Sequence, residues 1–90
     1  MSESKLQKWS KELAEVLETR NVKKLIVFMN KWTKEGMYDE ITVENFKKAP
    51  KRVQLGSMCK MIVHRTDVSF DTKLWAMQKL GELDMSPEII

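Results

Sequence analysis

Residues able to act as nucleophile, base or metal ligand are scarce in this 90-residue chain, and their spacing does not bring them together. The single histidine, His64, and the single cysteine, Cys59, lie five positions apart, off the i+4 spacing that a helical pair favours. His64 falls at the end of a helical pattern, where a histidine ordinarily contacts the last carbonyls. Cys59 falls on an apolar stripe and reads as a core thiol. The glycines at 36, 56 and 81 are too far apart for a phosphate-binding loop. Metal-ligand spacing is missing, and Asp39-Glu40 reads as a solvated connection. These residues predict no enzyme, no metal and no cofactor.

Two other groups could recognise a partner. Lys47, Lys48, Lys51 and Arg52 straddle Pro50 at a junction between helices, where cations stay exposed beside the free N–H groups of the next helix and could hold phosphates or acidic side chains. No aromatic is interleaved with them. A helix-turn-helix reading fits poorly, because Lys51, Arg52 and Gln54 are followed at once by core residues. The second group is the seven methionines and three tryptophans. Met29, Met58, Met61 and Met77 lie on apolar faces and read as core filling, with a groove of adaptable side chains as the alternative. Short helices cannot cover Trp9, Trp32, Trp75, Met37 and Tyr38 equally, and an uncovered aromatic would mark a protein-binding patch. Trp32, Met37, Tyr38 and Trp75 are the expected partner-binding residues.

Composition limits the object that carries these groups. Ninety residues make one small domain with one core and no room for a deep interdomain cleft. An apolar share of 42% with a formal charge of only +3 excludes a disordered chain and argues no nucleic-acid role by charge alone. The excess is local: residues 41–52 carry four basic and one acidic group, whereas residues 71–90 carry two and four. One cysteine permits no internal disulfide, no signal peptide precedes the first amphipathic pattern, and no apolar run approaches the roughly 18 residues of a membrane span. The expected location is the reducing cytoplasm.

Periodicity predicts an all-α bundle of four to five short helices over about 4–19, 21–35, 42–48, 50–65 and 69–82. The first has Leu6, Trp9, Leu13, Val16 and Leu17 on one stripe, a Ser4–Gln7 capping box, and Lys8–Glu12 and Lys11–Glu15 at i,i+4. The second, capped by Asn21 and closed by Gly36, holds the run Leu25 to Met29 and is expected to be the central helix, apolar on most sides. Thr42 is the expected cap of the third, with Val43 and Phe46 facing inward, and Pro50 the first residue of the fourth. Leu55, Met58, Cys59 and Ile62 form the fourth helix's stripe, with Gly56-Ser57 as a close-approach point for the second helix. Phe70, Leu74, Met77 and Leu80 are the expected inner face of the fifth, whose cap is Asp67 or Ser69. Residues 1–84 form the expected domain and 85–90 a tail.

From the second helix onward the layout resembles the N-terminal domain family of the transcription elongation factor TFIIS, which includes domains of Elongin A and LEDGF. The residues carrying the resemblance are Lys24-Leu25 with Phe28 and Met29, then Ile41-Thr42-Val43, Val53, and Val68 before a helix with Leu74 and Trp75. It implies a helical bundle that binds short motifs in disordered transcription proteins. Ala49-Pro50-Lys51-Arg52 replaces the family's glycine-containing turn, and Trp75 comes early in its helix, so no functional residue carries over. The expected function is that of a non-enzymatic protein-interaction module, an adaptor or regulator that binds a protein partner or a second copy of itself. The alternative is a nucleic-acid-binding domain using the basic corner at 47–52.

Overall fold

The computed structural model describes residues 3–87, which form five α-helices and, among the described residues, no strand. These are α1 (Lys5–Glu18), α2 (Val22–Thr33), α3 (Glu40–Lys48), α4 (Lys51–Val63) and α5 (Phe70–Glu82). The ends follow local chemistry. At the start of α1, the Gln7 N–H donates to Ser4 Oγ at 3.1 Å and Gln7 Oε1 accepts from the Ser4 N–H at 2.9 Å, a complete capping box. The chain breaks at Arg20, in the left-handed region at φ 57°, and Asn21 Oδ1 then accepts the Lys24 N–H at 3.3 Å. Helices α1 and α2 are therefore separate, packed side by side. After α2, Gly36 at φ 82° donates to Thr33 O at 3.0 Å and Met37 to Trp32 O at 2.9 Å, the paired bonds of a Schellman closure.

Two caps differ from expectation. Asp39 rather than Thr42 caps α3, its Oδ1 accepting the Ile41 N–H at 3.4 Å. Aspartate is the better cap, and Glu40 behind it favours the positive helix end. Pro50 stands one residue outside α4 as its cap, at ψ 149°, with its carbonyl accepting the Val53 and Gln54 N–H groups at 2.9 and 3.0 Å.

Helix α2 touches α1, α3 and α4, so it organises the amino-terminal part of the bundle; α5 packs chiefly on α4. Leu25, Phe28, Met29 and Trp32 are its buried arc. It is not apolar all round: Val27 is exposed, and Ile26 is half-buried and outside the core cluster. On α1, Leu13 and Leu17 are buried and Leu6 is exposed. Glu12 and Lys11 do not form the expected i,i+4 pairs. Glu12 reaches across to Lys31 at 2.7 Å, and Lys11 pairs with Glu3 at 3.3 Å.

Helix α4 is the most enclosed, with Gln54, Gly56, Met58, Cys59 and Ile62 all buried. Gly56 is covered by the segment after α5 and not by α2. A Cβ there would lie 2.3 Å from Met85 Sδ and 3.8 Å from Leu83 Cδ1. That segment turns back at Asp84, left-handed at φ 54°, with Met85 N–H donating to Leu80 O at 2.9 Å. Arg52 Nη2 donates to Leu83 O, and His64 Nε2–H donates to Pro87 O at 2.8 Å. The expected tail is thus held against α4 as far as Pro87; positions 88–90 lie outside the described residues.

Candidate interaction surface

The four expected partner-binding residues do not form one open patch. Trp32 is buried, its Nε1 donating to Glu12 Oε2 at 3.2 Å, with Lys31 Nζ 5.7 Å from the ring centroid. Met37 and Tyr38 are half-buried against the core. Tyr38 accepts from Trp9 Nε1 at 3.3 Å and stands edge-on to Trp9 and Phe28, with centroids 6.3 and 6.1 Å away. Desolvation raises the Tyr38 phenol pKa, opposed by the Trp9 hydrogen bond. These rings form an interior seam joining α1, α2 and the α2–α3 connection. Trp75 is half-buried on α5, with the Arg20 guanidinium 5.7 Å from its ring.

Lys47, Lys48, Lys51 and Arg52 are all exposed at the α3–α4 junction, where Gln54 ties the two helices together. Its buried Nε2 donates to Phe46 O at 2.9 Å and Lys47 O at 3.1 Å, satisfying the last carbonyls of α3. The corner is partly engaged already. Lys47 pairs with Glu44 at 3.2 Å and Arg52 with the Leu83 carbonyl. Among the described residues, Lys48 and Lys51 are in no salt bridge.

The strongest polar clusters are structural joints. Ser69 caps α5, its Oγ accepting the Thr72 N–H at 3.2 Å, while its own N–H and Oγ–H donate to Glu18 Oε1 at 2.8 and 3.0 Å. The Ser69 N–H is the main cause of the lowered Glu18 pKa. Arg20 Nε donates to Thr72 Oγ1 at 3.3 Å from the other side. Arg65 grips Asp67 with two bonds, at 2.8 and 2.7 Å, and reaches Ser10 O and Oγ, both at 2.9 Å. The Arg65 hydrogen bond lowers the Asp67 pKa first of all. Cys59 is fully buried, and burial pushes its thiol up to about 11. His64 bonds the carboxy-terminal segment and not the carbonyls of its own helix. Among the described residues, no group of three His, Cys, Asp or Glu could hold a metal. No helix of the described residues is long and apolar enough to cross a membrane.

The unpredicted surface is on α5. Phe70 is 72% exposed and Leu74 and Met77 are each 48% exposed, although periodicity assigned all three to the core. Leu80 is buried as expected, and the rest of the inner face is Thr72 and Ala76, small residues that let α5 lie close against α4. Helix α5 thus has two apolar arcs. The available signal was Ala76, Leu80 and Leu83, which repeat at four and three and are a stripe of their own. In comparisons by sequence and by structure, no protein-family model, curated protein or solved structure matches this chain.

Proposed function

We propose that this chain is a small helical protein-interaction module that works by binding and carries no catalytic chemistry. The observation that supports it is the ridge Phe70–Leu74–Met77. Large apolar side chains at i, i+4 and i+7 on an otherwise well-packed helix are costly to solvate and suit a helical partner. The partner site therefore moves from the tryptophans to the outer face of α5. The resemblance to TFIIS N-terminal domains would extend the reading to motifs in transcription proteins. The buried, unpaired thiol of Cys59 suits a reducing, cytoplasmic setting. The nucleic-acid alternative has less support, since Lys47 and Arg52 are already engaged.

Photo-crosslinking from position 78, beside the ridge, should capture a defined protein species. Leu74→Glu should abolish capture while circular dichroism stays unchanged. Capture that survives Leu74→Glu would sink the reading. A salt-sensitive gel shift with generic DNA, lost on Lys48→Glu and Lys51→Glu, would favour the alternative.

A further inference from the structure

The edges of the α5 ridge carry charge that complements the ridge itself. Phe70, Leu74, Met77 and Gly81 follow one another at spacings of four, three and four, the d-a-d-a order of a heptad seam, and all four are exposed. With 3.6 residues per turn they occupy an arc of about 60°. Lys73 borders one side of this arc; Asp71 and Gln78 border the other. A Cβ at Gly81 would meet nothing within 4 Å, so that end of the seam is open to a neighbouring helix. Among the described residues, neither Lys73 nor Asp71 is in a salt bridge; Asp71 is exposed, and Lys73, half-buried, acts only from a distance on Asp67.

A twofold axis running parallel to α5 sets the left edge of one helix against the right edge of the other at equal height. Each Lys73 then faces the Asp71–Gln78 edge of the second copy, twice over by symmetry. An antiparallel pair would instead set like edges together. Resting on the interaction-module reading above, we infer that the occupant of the ridge is a second copy of this chain, with α5 against α5 in a parallel twofold dimer. The exposed fractions leave on the order of 300 Å² of apolar side chain per copy. A pair therefore hides about 600 Å² of apolar side chain, less than the roughly 1,000 Å² of a strong specific interface. The dimer is accordingly weak and concentration-dependent.

Sedimentation equilibrium of the full chain from about 5 µM to about 1 mM should show the mass rising from monomer towards dimer. Leu74→Glu should weaken association at least tenfold while the helical circular dichroism is retained. Asp71→Lys and Lys73→Glu should each weaken it about fivefold, because each homodimer then sets like charges opposite one another. An equimolar mixture of those two variants should regain the wild-type affinity, since both edges are complementary again. A mass that stays monomeric throughout, a dimer indifferent to Leu74→Glu, or a mixture no tighter than either variant alone would each overturn the inference. A monomeric chain whose crosslinked protein partner is lost in Leu74→Glu would end self-pairing yet leave the interaction-module reading intact.

Discussion

At Asp84 the backbone holds an L-residue in the left-handed region, at φ 54°, to reverse the chain after α5. Glycine adopts that conformation without steric cost, so Asp84→Gly should stabilise the fold by about 0.5–1 kcal/mol and raise Tm by several degrees. Arg20 has the same conformation, at φ 57°, but its side chain bonds Thr72 and lies over Trp75. Arg20→Gly should therefore gain nothing, and a Tm rise equal to that of Asp84→Gly would show these contacts to be idle. Gly56 poses the opposite problem. Alanine would gain about 1 kcal/mol of helix propensity but would collide with Met85. In a Met85→Ala background the collision is gone, so Gly56→Ala should be more favourable there by about 1 kcal/mol or more in denaturant melts. Equal effects in both backgrounds would mean that Met85 does not cover Gly56.

Helix α5 shows which parts of the fold are legible in sequence and which are not. Capping chemistry was legible at α1 and α2, where Ser4–Gln7 and Asn21 carry the hydrogen-bonding group that their position requires, and was narrowed to Asp67 or Ser69 at α5. At α3, Asp39 and Thr42 both carry such a group, and sequence favoured the wrong one. Helix boundaries followed to within about two residues. The facing of α5 was not legible, because Phe70, Leu74 and Met77 outrank Thr72 and Ala76 in hydrophobicity, and close packing on α4 selects for size instead. The candidate site shared that failure, since the ridge had been assigned to the core and Trp32 to the surface. The buried Gln54 was also missed, because a glutamine that closes a neighbouring helix resembles any polar residue in sequence. A stability scan along α5 separates the two arcs. Leu80→Ala should cost about 2–5 kcal/mol as a cavity in the core, whereas Leu74→Ala and Met77→Ala should each cost about 0.5 kcal/mol or less. Comparable losses at Leu74 and Leu80 would return the ridge to the interior.

Over the whole molecule, the apolar joint between its two parts is the contact of α2 with α4, and polar ties reinforce it from α1. One tie joins Glu18 to the Ser69 cap of α5; the other joins Ser10 to Arg65, which Asp67 holds in place. Both carboxylates have lowered pKa values in the folded chain, Glu18 through the Ser69 N–H and Asp67 through Arg65. In acid the unfolded chain therefore binds more protons than the native one, and stability rises with pH across that range. The contribution is complete above the ordinary carboxylate pKa values of about 4 to 4.5 and is lost as pH falls through the lowered folded values. Tm should thus be flat from about pH 5 to 7 and fall progressively below about pH 4.5. Glu18→Gln with Asp67→Asn keeps acceptor oxygens in place but removes both titrations, so the double variant should start from a lower Tm at pH 7 and show a shallower acid slope. An acid slope identical to that of the wild type would mean that other carboxylates govern the loss, and that the two ties contribute shape without pH-dependent stability.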